Sequence, residues 1–277
     1  MPPRCLSSLR NPLMQVHHPT SLDDALAAVA SGATPLSGGT DLMVEVNFGH
    51  TQPDNVVGLR RVEELKTWEG NRIGAGVTWR RIEMSGPKAL AEAARTVGSP
   101  QIRNAGTIGG NLATASPAGD GHPFIAAVDA SIELVSESGT RMVGWSDFFT
   151  GVKRTSMRSD ELIAAVHLPE NLPASHSFGK VGVRDAMVIA TVNCVVTRDD
   201  DGSTTVALGS VAPTPMRARA AETMISSMSK PTKSDLSEFQ RLVSEEVTPI
   251  TDHRSTEGYR RHAAGVLARR LLERCLR

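Results

Sequence analysis

The sequence predicts a mixed helix-and-strand protein in two parts, and three observations carry that reading. The chain has 277 residues, enough to bury a full core and to divide in two. Short apolar strand-like runs and capped helices alternate as far as Leu168. Pro169 and the Asn171-Leu172-Pro173 cluster then break the pattern, and a hairpin followed by helices takes over. The expected units are therefore residues 1–173 and 174–277.

Taken in order, Leu13 to Pro19 reads as a short opening strand. Ser21 caps a helix through Ala30, with Asp23 and Asp24 in the first turn, where the helix dipole favours negative charge, and Gly32 as the stop. Thr34-Pro35-Leu36 leads into a Ser37-Gly38-Gly39-Thr40-Asp41 turn, and Leu42 to Val46 resumes an apolar run. Val56 to Leu59 and Arg72 to Val77 read as strands. Gly74, Gly76 and Thr78 keep the second one thin, which suits either a ligand wall or a bulge. Pro87 opens a helix over 88–97, with Gly98 ending it. Phe124 to Ala130 is short and apolar. Ile132 to Val135 and Arg141 to Gly144 form a hairpin about the Glu137-Ser138-Gly139-Thr140 turn, and Leu162 to Leu168 closes the first part.

In the second part, Val188 to Thr197 and Thr204 to Val211 flank the Asp200-Asp201-Gly202-Ser203 turn and predict a hairpin. Three helices follow, over 215–228, 234–247 and 256–276. In the last, Tyr259, Ala263, Val266, Leu267, Arg270 and Leu271 share a face, with arginines lining the rest. That arginine-rich surface reads as solvated or as a docking face for another subunit.

Composition narrows the function. Lys plus Arg and Asp plus Glu number 30 each, so no basic stripe marks a nucleic-acid binder. No apolar run is long enough to span a bilayer, and the N-terminus lacks the apolar core of a signal peptide, so the cytoplasm is the expected location. Cys5, Cys194 and Cys275 are far apart, which excludes a local zinc site or an iron–sulfur cluster built by this chain alone. No metal site is expected. P-loop, Rossmann, zinc-protease and nucleophile-elbow motifs are all absent. Nothing resembles a nucleophile with its general base, so no residue is assigned a catalytic role, and any chemistry must come from a cofactor. His122 reads better as a core or surface histidine than as a cofactor contact.

The informative stretch is residues 104–120. It holds four glycines, several small hydroxyl or amide residues, one carboxylate and no Lys or Arg. Glycine permits close approach of a ligand to the main chain, and successive backbone N–H groups can cradle an anion. Thr107, Asn111, Thr114 and Ser116 add side-chain donors, and Asp120 can accept from ribose hydroxyls or a ring amide. The Ser37–Asp41 turn repeats the Gly-Gly pattern. Two such turns suit a diphosphate gripped from two sides, hence a nucleotide.

These residues resemble the FAD-binding, medium subunit of the molybdenum hydroxylases, the xanthine dehydrogenase and aerobic carbon-monoxide dehydrogenase group. Ser37-Gly38-Gly39-Thr40-Asp41-Leu42 is similar to the family's first flavin loop. Thr107-Ile108-Gly109-Gly110-Asn111, with Thr114-Ala115-Ser116-Pro117 and Asp120, is similar to its second. Phe178 to Arg184 with Ile189-Ala190, and the Tyr259-Arg260-Arg261 helix, extend the likeness through nearly the whole chain. Ser37 and Asp41 depart from the commonest first-loop pattern.

The resemblance implies an α+β fold. A two-lobed FAD-binding domain of the vanillyl-alcohol-oxidase (PCMH) type is followed by a small C-terminal domain with a three-stranded sheet and helices. It implies non-covalent FAD. Leu36, Ser37, Gly38, Gly39, Thr40, Asp41, Leu42 and Met43, with Thr107, Ile108, Gly109, Gly110 and Asn111, would hold the diphosphate through backbone N–H groups. Val77 would lie against the cofactor. Thr114, Ser116, Gly119 and Asp120 would contact ribityl, ribose or adjoining groups. Leu162 and Ile163 would border the ring, and Lys180 would face its carbonyl edge.

It also implies partners: a large subunit with the molybdenum cofactor and a small one with two [2Fe–2S] clusters, in a heterotrimer that dimerises. Electrons would leave to NAD⁺, a quinone or oxygen. A stand-alone flavin oxidase or dehydrogenase, and a non-catalytic nucleotide-binding subunit, are the competing readings.

Overall fold

The computed structural model describes residues 14–277 and contains three hydrophobic clusters. The first lobe is a three-stranded parallel sheet in which Asn55–Gly58 lies between Gln15–His17 and Thr34–Leu36. Parallel neighbours need a crossover; the Leu22–Ala30 helix carries the chain from one edge strand to the other, and Leu42–Asn47 lies in the crossover from there to the central strand. Ser21 caps that helix by accepting from the Asp24 N–H, and Gly32 leaves it at φ +94°. The 42–46 run forms a short helix, Leu42–Asn47.

The second lobe is a five-stranded antiparallel sheet. Its strands run Trp68–Glu69, Arg72–Gly74, Leu162–His167, Ser131–Ser136 and Gly139–Gly144 across the sheet. The 72–77 strand ends early, at Gly74. Beyond it the Gly76 N–H turns to the Leu65 carbonyl and the Val77 N–H to that of Gly74. Trp79, Ile82, Leu90, Ile108, Leu112 and Phe124, all fully buried, form the core against this sheet. The apolar 124–130 segment is a helix over His122–Ala127, buried at every position. A small hairpin, Phe149–Gly151 with Arg154–Thr155, packs beside it.

The C-terminal sheet has four strands rather than the expected three: Ser175–Val181, Val192–Arg198, Thr204–Gly209 and Met216–Arg217. Met216 and Arg217 pair with Leu208 and Ala207, so the helix expected over 215–228 covers only Arg219–Ser226. The central strand begins at Val192, not Val188; Val188 and Ile189 belong to the loop that precedes it, just after Met187, which sits at φ +49°. One face of the sheet meets the Lys88–Thr96 and His122–Ala127 helices, and the other carries the Glu257–Cys275 helix. Both faces are covered, so every residue of Val192–Arg198 is buried. Phe178, Val195 and Ala207 join the core of the second lobe.

The Glu257–Cys275 helix presents a different face from the expected one. Arg260, Ala263, Ala264, Ala268, Leu271 and Leu272 are buried, while Tyr259 is exposed. The Arg260 guanidinium reaches the carbonyls of Thr191 and Ser210 and the Asp252 carboxylate, bonds that solvent could not offer in one place. Lys233–Glu246 packs antiparallel-like against it and opens with a capping box between Thr232 and Asp235.

Candidate functional site

The two glycine turns meet. Ser37 Oγ lies 3.1 Å from Thr107 Oγ1, and Thr114 Oγ1 donates to Asp41 Oδ2 at 3.2 Å. Gly38 makes the approach possible, since a Cβ there would stand 1.9 Å from the Ala105 carbonyl oxygen. Gly39 takes φ +70°, which turns the chain out of the Thr34–Leu36 strand into the Leu42–Asn47 helix. The backbone N–H groups of Gly38, Gly39, Thr40 and Asp41 find no acceptor among the described residues. Successive amides of this kind can cradle an anion.

The second turn differs from expectation. Ile108 donates its N–H to the Val77 carbonyl at 3.0 Å and Gly109 to that of Ala75 at 2.9 Å. Thr107 caps the Ile108–Thr114 helix, taking the Gly110 N–H on Oγ1 and the Asn111 N–H on its carbonyl. These four N–H groups are therefore already engaged and are not free for a diphosphate. What the turn offers instead is bare glycine surface and side-chain groups. A Cβ on Gly109 would stand 2.5 Å from that of Ala75, so the helix start lies flush on the second lobe.

Between the turns runs a cleft of about 830 Å³. Leu36 through Leu42 line it, with Thr107, Gly109, Gly110, Asn111, Thr114, Ser116, Gly119, Asp120, Leu162 and Ile163. Four expected residues do not. Val77 and Ile108 turn into the hydrophobic core, because their backbones are paired to each other across the base of the helix. Met43 follows the first turn and lies off the wall. The Lys180 side chain, 8% exposed, points at Asp120 and not into the cleft.

Several lining residues escaped sequence reasoning. Ala75 is one of them, beside the Gly76 that the sequence offers as a ligand wall; both line the cleft and Val77 does not. Val97, Gly98, Ser99 and Ile102 line another wall, although Gly98 reads locally as a helix stop. Met187, Val188 and Ile189 reach in from the C-terminal part. No Lys or Arg lines the cleft among the described residues, whereas Asp41, Glu45 and Asp120 do. A bound anion there would be held by backbone dipoles, and hydroxyl groups by carboxylates. Leu59, Leu65, Val97, Met157, Leu162 and Ile163 add apolar wall suited to a flat ring.

Asp120 is the best-connected carboxylate of the cleft. Lys180 Nζ and Thr96 Oγ1 donate to Oδ2 at 2.5 and 3.1 Å, and Asn193 Nδ2 donates to Oδ1 at 2.9 Å. Burial pushes its carboxyl upward, opposed by Lys180 first and then by Asn193 and Thr96. His122 is a core histidine. Its ring packs 4.7 Å from that of Phe149, and Nε2 meets the Asn111 carbonyl. Burial lowers its pKa to about 4, so it is neutral at pH 7.

Among the described residues no cluster of His, Cys, Asp or Glu could hold a metal. Cys194 is buried, and Cys275 donates to the Val196 carbonyl; burial raises both thiols, Cys275 to about 11. Cys5 lies outside the described residues. No described helix is long and apolar enough to cross a membrane.

Comparison with known proteins agrees with this geometry. Residues 12–171 match the family "FAD binding domain in molybdopterin dehydrogenase", and residues 177–275 match the "CO dehydrogenase flavoprotein C-terminal domain". The nicotinate dehydrogenase FAD-subunit of Eubacterium barkeri is 38% identical over 69% of this chain and 70% of its own. The xanthine dehydrogenase FAD-binding subunit of Escherichia coli O157:H7 is 29% identical over 92% and 94%. A chain of the reconstituted CO dehydrogenase from Oligotropha carboxidovorans superposes with a TM-score of 0.87 at 30% identity, covering 95% of this chain and 97% of that one. With both family models in order along the sequence, and a cleft whose free amides and apolar wall fit FAD, the chain belongs to the FAD-binding flavoprotein subunits of the molybdenum-containing dehydrogenases.

Proposed function

We propose that this chain is the electron-transfer flavoprotein of a molybdenum hydroxylase complex. Electrons arrive from the [2Fe–2S] clusters of a small partner subunit, downstream of a molybdenum site in a large one. They leave to an external acceptor such as NAD⁺, a quinone or oxygen. FAD, when bound, supplies this redox chemistry, and the chain supplies binding, orientation and electrostatics. The observation that carries the reading is the row of undonated N–H groups from Gly38 to Asp41, facing the small-residue surface of Gly109 and Gly110.

In this reading residues 36–42 hold the diphosphate through main-chain amides. Thr107, Asn111, Thr114 and Ser116 contribute side-chain donors. Gly119 and Asp120 take hydroxyl or amide groups, and Leu162 and Ile163 border the ring. Val77, Ile108 and Lys180 support the site from behind. Residues 1–173 form the FAD-binding unit and 174–277 the second unit. The complex is a heterotrimer that dimerises, in the cytoplasm.

Purification with native partners tests the reading. Iron, molybdenum and FAD in one complex are expected, together with a yellow chain on separation. A chain that oxidises a substrate alone would replace it with a self-contained flavin enzyme. A colourless chain that takes up no FAD would replace it with a nucleotide-binding scaffold.

A further inference from the structure

Asn193 is fully buried in the central strand of the C-terminal sheet, among Val192, Cys194, Val195 and Val196. An apolar residue would serve the core there. The asparagine is kept although its Oδ1 has no hydrogen-bond partner among the described residues, which is unfavourable for a buried amide. Its compensating bond is Nδ2 to Asp120 Oδ1 at 2.9 Å, with the Gly119 carbonyl at 3.4 Å from the same nitrogen.

The neighbouring geometry is arranged around this contact. Lys180 is the direct cross-strand partner of Asn193 and reaches the other oxygen of the same carboxylate. Gly209 is its partner on the opposite strand, and a Cβ there would stand 2.2 Å from Asn193 Oδ1. The glycine thus leaves room for the amide to lie across the strand. Ser210 then donates its N–H to the Pro117 carbonyl at 2.8 Å, tying the same sheet to the same turn. Asp120 and Gly119 line the cleft; Asn193 and Lys180 do not.

We propose that Asn193, with Lys180, is a positioning residue of the flavin site: the C-terminal sheet holds Asp120 and the Ser116–Gly121 turn in the geometry that binds FAD. This rests on the reading of the cleft as the FAD site. The second unit therefore governs cofactor affinity without touching the cofactor, through one bidentately held carboxylate.

The test is FAD titration of the full-length apoprotein, followed by flavin fluorescence, alongside apoprotein thermal melting. Asn193→Leu removes the donor on the same branched heavy-atom skeleton, though with bulkier methyl groups. Asn193→Asp keeps the shape but accepts where the asparagine donates, which guards against a packing explanation. Thr197→Val, which removes a buried hydroxyl from the same strand but contacts Thr205 and not the turn, is the control. Both Asn193 variants are expected to bind FAD at least tenfold more weakly than wild type, measured at a temperature where melting shows each apoprotein to be folded, and the control within about twofold. Wild-type affinity in either Asn193 variant overturns the inference, as does an equal loss in the control. A wild-type chain that takes up no FAD overturns the FAD reading and this inference together.

Discussion

At the scale of single residues, two glycines of the site do different jobs, and substitution separates them. Gly38 allows backbone to meet backbone, with 1.9 Å between a would-be Cβ and the Ala105 carbonyl oxygen. Gly38→Ala must push the two turns apart, so both FAD retention and melting temperature are expected to fall. Gly70, at φ +55° with open space around it, is the comparison: Gly70→Ala carries only the left-handed backbone cost of roughly 1 kcal/mol and should keep its FAD. Gly110 has a single neighbour near the Cβ position, Thr107 Oγ1 at 3.2 Å, and otherwise faces the cleft. Gly110→Val is therefore expected to fold and to lose its flavin, and a normal absorbance ratio of flavin to protein in that variant would contradict the site. His122 contributes a pH dependence. The unfolded histidine takes a proton below about 6.5, whereas the folded one, buried and neutral, resists until about 4. Stability is thus present above pH 6.5 and lost as the pH falls toward 4, by about 3 kcal/mol for this group. Urea unfolding at pH 7.5 and pH 5 should show the loss, and His122→Leu should flatten it.

At the scale of elements, the start of the Ile108–Thr114 helix ties the two sides of the site together. Thr107 caps it, meets Ser37 across the cleft and sits in a bridge with Thr78 of the second lobe. Thr107→Ala removes the cap and the hydroxyl contact together, costing about 1 kcal/mol. Thr107→Ser should restore most of it, measured as the urea midpoint. Helices with a local start and stop signal were legible: Ser21 with Gly32, Pro87 with Gly98, and the Asp200–Ser203 turn between strands. Val188 and Ile189 misled, because β-branched residues suit a strand and equally a cleft wall. Met216 and Arg217 pair as an edge strand only because Ala207 and Leu208 present a free ladder, which no local pattern encodes.

At the scale of the whole molecule, a polar chain joins the last helix to the Ser116–Gly121 turn. Asp252 binds Arg260, Arg260 binds the Ser210 carbonyl, and the Ser210 N–H binds Pro117. Burial works to raise the Asp252 carboxyl, but hydrogen bonds from Arg260 and from the N–H groups of Arg254 and Ser255 outweigh it and hold it below the usual carboxylate range. Arg260→Met would leave the Thr191 and Ser210 carbonyls without this donor and take one partner from the Asp252 carboxylate, at a cost of roughly 2 kcal/mol. Because Ser210 is then less constrained, FAD affinity should fall as well, and a variant that is destabilised with undiminished affinity would show that the helix and the turn are uncoupled.

By itself the sequence determined the order of elements, the two glycine turns and the family to which their spacing belongs, because capping, turn chemistry and glycine content act over a few residues. Only the tertiary structure decided which groups in those turns remain free. The amides of Ile108 and Gly109 are engaged by the carbonyls of Val77 and Ala75, some thirty residues away, while those of Gly38 to Asp41 are left open. Likewise Lys180 meets a buried carboxylate before it can meet a ring. Hydrogen-bond partners across long sequence separations are chosen by packing, and a buried donor takes the acceptor that the fold brings nearest.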